Sequence, residues 1–242
     1  MLIHRTPDFA LYFGSASDTI QPQEYLTIPA AIFFAKTESI LRLMAQLNLQ
    51  NLFFAHQVHG VQGIHVTPQL LSAVPAFTMQ ADFLHTTIPR IGIGVMTADC
   101  LPIILVDPMR KAAVIIHAGW RGAVNTIAQK ALLCMYTAYG TRSTDVLVFL
   151  GPSARACCYQ VGPEFVDIAH HTPHGTSALT TRKDQLFFDV PQLVCDQLVA
   201  CGVPASSISH AYNLCTICDM RFYSHRRDGQ RSGRQMTIVT LV

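Results

Sequence analysis

The chain has 242 residues, of which 50% are hydrophobic and only 13% charged, and its formal net charge is +2. That composition excludes a disordered protein, and so small and dispersed a charge gives no footing for nucleic acid or an anionic membrane surface. No apolar run reaches the roughly 20 residues of a membrane helix, and the N-terminus meets charge and proline too early for an export signal, so the expectation is a cytoplasmic protein with one domain over 1–242.

The first 35 residues suggest no more than a strand and loops. From 36 to 49, KTESILRLMAQLNL places Ile40, Leu41, Met44 and Leu47 at spacings of three and four, which predicts one apolar helix face. NLFFAHQVHG then reads as a short apolar strand broken at Gly60, and GIHVT as a second. Residues 91–96, 102–107 and the run KAAVIIH are strands, and VNTIAQKALLCMYTAYG is a helix stopping near Gly140. DVLVFLGP is another buried strand. PEFVDIAHH and PQLVCDQLVACG are helices, the second starting after Asp189 with Pro191 in its first turn. MTIVTLV closes the chain as a strand. Helices and strands intermingle without a βαβα rhythm, and neither a dinucleotide fingerprint nor a P-loop is present. The fold class expected is α/β of the mixed-sheet, α+β-like kind.

Eight cysteines stand at 100, 134, 157, 158, 195, 201, 215 and 218. In a chain of this length without an export signal they read as reduced thiols, most of them small buried hydrophobes. CTIC at 215–218 has the form of half a zinc knuckle, but the sequence offers no second CxxC, so the pair reads as structural. Cys157 and Cys158 are adjacent, an arrangement seldom used to chelate one metal.

Three segments put candidate ligands at strand ends: His56 and His59 in HQVHG, Asp99 and Cys100 in TADCLP, and His117 in IIHAGWRG. A strand end fixes a side chain while the adjoining loop leaves it accessible. One thiolate and neutral imidazoles suit zinc, and three protein ligands leave one tetrahedral corner open. On spacing alone these could equally be polar residues satisfied by backbone hydrogen bonds.

These segments, with the stretch from Gly151 to Phe165, FFD at 187–189, and FYSHRRDGQRSGRQ from Phe222 to Gln235, resemble the multicopper polyphenol oxidoreductase (laccase-like, YfiH) family. The resemblance runs from about residue 36 to the C-terminus. It implies two sheets packed between helix layers and an enzyme of purine nucleoside phosphorolysis, with adenosine deamination as a further activity. One branch of the family is associated with peptidoglycan editing. It also implies His59, Cys100 and His117 as zinc ligands, with zinc favoured over copper. The expected partners are a purine nucleoside, such as adenosine, inosine or methylthioadenosine, and phosphate.

Arg121 is then a bidentate fork for an oxyanion, with Gly119 and Gly122 allowing a close backbone turn. Cys100, His117 and Arg121 form the expected catalytic group. His56 is expected in the pocket, or in a satisfied structural role. Asp99 either orients a ligand histidine or caps a turn, and Trp120 reads as packing. Either Arg226 or Arg227 is expected to reach substrate. Lys36 stands near where family members carry an Asn–Arg pair, and it cannot make the same bidentate contact.

The same residues admit a Cys100–His117 amide or ester hydrolase acting on cell-wall precursors. A copper polyphenol oxidase ranks below it, because a single three-ligand site is not a multinuclear centre. A non-catalytic zinc module would call for a fourth protein ligand. The sequence leaves the oligomeric state open.

Overall fold

The apolar runs at 91–118 become β6 (Ile91–Thr97), β7 (Leu101–Asp107) and β8 (Ala112–Ala118), and every residue in them is buried. Such runs need cover on both faces, and the fold provides it with layers. The structure, a computed structural model, describes residues 2–18 and 38–242. A five-stranded sheet has the order β1–β2–β14–β6–β3, in which β1 is Leu2–Arg5, β2 Phe9–Phe13, β3 Asn51–Phe54 and β14 Gln235–Leu241. A six-stranded sheet has the order β13–β9–β7–β8–β5–β4, with β4 at Gly63–His65, β5 at Phe83–Thr86, β9 at Leu147–Leu150 and β13 at Ile208–Ser209. Both contain parallel and antiparallel pairs. A small antiparallel sheet joins β10 (Gln160–Val161), β12 (Gln185–Phe188) and β11 (Leu179–Arg182).

The period-two alternation of each strand decides which layer it faces. In β7 and β8, Leu101, Ile103, Leu105, Val114 and Ile116 pack against α4 (Ile127–Tyr139) and α6 (Val190–Ala200). Their alternate neighbours Ile104, Val106 and Ile115 meet Phe53, Ile93, Val95 and Val239 of the five-stranded sheet. The outer face of that sheet presents Phe54, Met96, Met236 and Ile238 to Ile40, Leu43 and Leu47 of α1 (Glu38–Leu47). The resulting order of helix, sheet, sheet and helix is the mixed α/β arrangement the sequence resemblance implied.

Several elements differ from expectation at their ends. The helix expected over 36–49 spans Glu38–Leu47, and Lys36 lies outside the described residues. The strand expected to run through HQVHG stops at Phe54, so His56 and His59 both belong to a loop. The helix expected from Val124 is two, α3 (Trp120–Val124) and α4, divided where Thr126 turns left-handed at φ 61°. Gly140 ends α4 at φ 68°, its N–H directed to Met135 and Tyr136 carbonyls. Asp189 accepts from the Gln192 N–H to cap α6, with Pro191 in the first turn. The short α2 (Pro68–Ala73) and β5 were not foreseen; β5 is only four residues long and gives little periodicity. α5 spans Glu164–His171, and the basic run after Phe222 opens with a one-turn α7 (His225–Asp228).

Candidate metal centre and its pocket

Strand register brings the three candidate ligands together. β7 and β8 are antiparallel, with Pro102 opposite His117 and Leu101 opposite Ala118, so Cys100 enters the sheet beside the residues where His117 leaves it. The Ala98–Cys100 link carries the chain from β6 in one sheet to β7 in the other, and the loop after β3 makes the same crossing before β4. Both crossings lie at one end of the sandwich. One ligand atom each from His59, Cys100 and His117 lies within 4.8 Å of the others. Cys100 Sγ is 3.7 Å from His59 Nε2, and the two imidazoles meet at 76° with centroids 4.8 Å apart.

Asp82 organises this cluster, and the sequence did not single it out. Its carboxylate is 2.8 Å from His117 Nδ1 and accepts N–H bonds from Val58, His59 and Gly60, the last at 2.6 Å. One buried carboxylate thus fixes the His117 ring, leaving Nε2 toward the cluster, and clamps the HQVHG loop. His59 sits at φ 59°, a left-handed conformation uncommon for histidine, which those contacts hold in place. The available signal was Asp82 in front of an apolar run, FLHTT, and nothing in that marks a ligand's partner.

Asp99, by contrast, orients no histidine. Its Oδ1 accepts the Thr216 hydroxyl at 2.6 Å and its Oδ2 the Arg226 N–H at 2.6 Å. Of the two roles open to it, the turn carboxylate is the one observed, at φ 89°.

The electrostatics couple the thiol and the imidazole. Burial alone would raise the Cys100 pKa, but the neighbouring His117 and His59 lower it to about 6. Burial would lower that of His117, but Cys100 and Asp82 raise it to about 9. Burial opposes ionisation of Asp82 as well, yet the His117 contact and the backbone N–H groups hold its carboxyl below the usual range. By geometry the donor set is one cysteine sulfur and two histidine rings, one of them aligned by a carboxylate, which suits a thiophilic divalent ion with an open corner.

The cluster forms the wall between two cavities. One, of about 340 Å³, is lined by Ala55, His56, Phe77, Met96, His225 and Arg234 as well as the cluster itself. The other, of about 130 Å³, has His59 and Cys100 against Trp120, Arg121 and Tyr159. Beyond it an open groove runs past Trp120, Tyr159 and Arg226. Arg121 is exposed, its guanidinium 4.6 Å from the Trp120 ring centre. Trp120 is half-buried on Phe165, so it packs and lines the cavity at once.

Arg226 lies over Tyr159 at 4.8 Å and donates to the Gln160 carbonyl. Arg227 is engaged elsewhere, by Asp228 and by the carbonyls of Thr216, Ile217 and Phe222. Of the pair, Arg226 borders the groove. Tyr159, His225 and Arg234 belong to segments the sequence had marked, but nothing in residue type distinguished them from polar side chains facing solvent. Gly119 and Gly122 serve close approach, since neither has a positive φ. A Cβ on Gly119 would stand 3.0 Å from His59 Cδ2 and 3.3 Å from Cys100 Sγ.

Residues 35–242 match the family model described as multi-copper polyphenol oxidoreductase laccase. The chain belongs to that family. Among its relatives, the purine nucleoside phosphorylase of Clostridium acetobutylicum is 28% identical over 96% of this chain and 91% of its own length. A protein of the same name from Xylella fastidiosa is 32% identical over 82% of this chain and 75% of its own. Of solved structures, the Bacillus licheniformis hypothetical protein YfiH superposes with a TM-score of 0.84 at 24% identity, covering 99% of both chains. YlmD from Geobacillus stearothermophilus gives 0.74 at 29% identity, over 83% of this chain and 77% of its own. No helix among the described residues is long and apolar enough to cross a membrane.

Proposed function

We propose that this laccase-family chain is a zinc-dependent purine nucleoside phosphorylase, acting as one domain over 1–242, with adenosine deamination as a secondary activity of the same pocket. The reading rests on one observation above all: His59, Cys100 and His117 gather their ligand atoms within 4.8 Å at the wall between two cavities. The names of the relatives supply the substrate class. A zinc ion held by these residues supplies Lewis acidity and a fixed positive charge.

The remaining work falls to the chain's own groups. The larger cavity has the volume of a small-molecule site and an apolar wall of Ala55, Phe77 and Met96 for a purine face. His56 stands on its rim, where an imidazole can pass a proton to the departing base. Arg121 offers its fork to phosphate from the smaller cavity, and Arg226 borders the approach groove. Phosphate attacks C1′ of the ribose as the bond to the purine breaks, so orienting the two reactants is the main task. Arg227 holds the 216–222 segment and takes no part in binding.

The experiment is metal analysis together with inosine and adenosine turnover, with and without phosphate. Base release that requires phosphate is expected. Inosine formed from adenosine without phosphate measures the deaminase. Cys100→Ala should lose the ion of the His59 cluster together with turnover; retention of that ion and of turnover would remove the assignment.

The proximity of Cys100 to His117, whose ring Asp82 orients, also admits a second reading, a hydrolase with Cys100 as nucleophile and His117 as base. Chelation separates the two: it abolishes phosphorolysis but spares or raises a thiol hydrolase.

A further inference from the structure

Away from that cluster, two loops bring four cysteines together. The CTIC pair, which reads from the sequence as structural, lies beside the adjacent Cys157 and Cys158. Cys157, Cys158, Cys215 and Cys218 each offer one sulfur, and the four sulfurs lie within 4.8 Å of one another. Cys157 and Cys218 are 3.9 Å apart. A disulfide needs sulfurs at about 2.05 Å, and all four cysteines are free. A tetrahedral zinc with Zn–S bonds of about 2.3 Å sets its sulfurs about 3.8 Å apart. The Cys157–Cys218 distance matches the second spacing, and the other sulfurs lie within reach of the same centre.

We infer that Cys157, Cys158, Cys215 and Cys218 form a second metal site, a four-thiolate zinc centre that clamps the 155–159 loop to the 215–218 turn. Adjacent cysteines become usable here because the chain turns at them, the Cys158 N–H bonding back to the Arg155 carbonyl at 2.9 Å. The two loops are already aligned by Ser153, which bonds on both sides of Cys215: its N–H to the Leu214 carbonyl and its carbonyl to the Thr216 N–H.

Three arginines brace the loops, two of them also paired with Asp189 and Asp228. Their guanidinium groups bond backbone carbonyls of the two loops and of Asn213 beside them. Arg155 reaches the Asn213 carbonyl, Arg182 those of Ala156 and Cys157, and Arg227 those of Thr216 and Ile217. Four protein ligands leave no corner open, so this centre is structural. Its position gives it a consequence for the pocket. Tyr159 follows Cys158 directly and walls the smaller cavity. Thr216 follows Cys215 directly and bonds Asp99, the neighbour of Cys100.

The zinc content of chain purified under reducing conditions tests this without depending on the catalytic reading. About two ions per chain are expected for the unaltered protein and about one for Cys100→Ala. About one is also expected for the double variant Cys157→Ser/Cys218→Ser, now at the His59 cluster. Because that double variant risks misfolding, cobalt-loaded Cys100→Ala is read as well. It should show intense sulfur-to-cobalt charge transfer with the visible bands of a tetrahedral four-thiolate ion. Absence of those bands, or a disulfide among the four in place of metal, overturns the inference.

Discussion

Asp82 is where a single side chain carries most consequence. It fixes the His117 ring and three N–H groups of the HQVHG loop at once. Asp82→Asn keeps the shape but offers one acceptor oxygen where two are used, and should weaken zinc binding about 10–100-fold, read by competition with a chelating dye. Arg226 and Arg227 are neighbours that the sequence could not rank, and the structure gives them different surroundings. Arg226→Ala should raise KM for phosphate several-fold with little change in Tm. Arg227→Ala frees three carbonyls and a carboxylate, so it should lower Tm while KM holds; steady-state kinetics beside thermal melts check both. His59, Cys100 and His117 were legible because their residue types and flanking motifs are distinctive. Asp82 was not, since a carboxylate before a short strand looks the same whether or not a histidine from another strand lies against it.

Among elements, the turn from β8 into α3 joins ligand and pocket. Gly119 there is tight against the site, because a Cβ would push two of the three ligands by a few tenths of an ångström. Gly119→Ala should leave the far-ultraviolet circular dichroism intact yet cut metal occupancy and turnover at least about tenfold, as small misplacements at a reacting centre do. The β5–α4 contact holds a different titratable group. His85 is bonded to Tyr139 at 2.5 Å and stacked on His65. Burial first, and His65 second, lower its pKa to about 4 from 6.5. The unfolded chain therefore takes up a proton below pH 6.5 that the folded chain refuses until about 4, so stability present above 6.5 is lost as pH falls across that window. Urea midpoints of chelator-treated protein should decline from pH 7 to 4.5, and His85→Gln should flatten the decline. Long periodic elements such as α6 were predictable, with cap and Pro191 in place. The division of α3 from α4 was not, because Thr126 in a left-handed conformation has no mark in the sequence.

At the scale of the molecule, stability comes from two sheets that share an apolar interface and each support a helix layer. Ile104 lies at that interface with no exposed surface. Ile104→Ala should lower unfolding free energy by about 2–5 kcal/mol, measured by urea denaturation, with zinc occupancy retained because the site sits at the sandwich's end. β14 shows how far the pairing reaches: the last strand of the chain lies between β2 and β6. Composition and alternation by themselves determined a mixed α/β class and the buried strands, because those depend on side-chain type and local period, while the choice of His59, Cys100 and His117 among five strand-end candidates came from the family resemblance. Which strands adjoin, which carboxylate backs His117, and the meeting of CC with CTIC across 56 intervening residues (159 to 214) were decided only by tertiary structure. Distances between residues remote in sequence follow from how whole layers pack, and no local pattern encodes them.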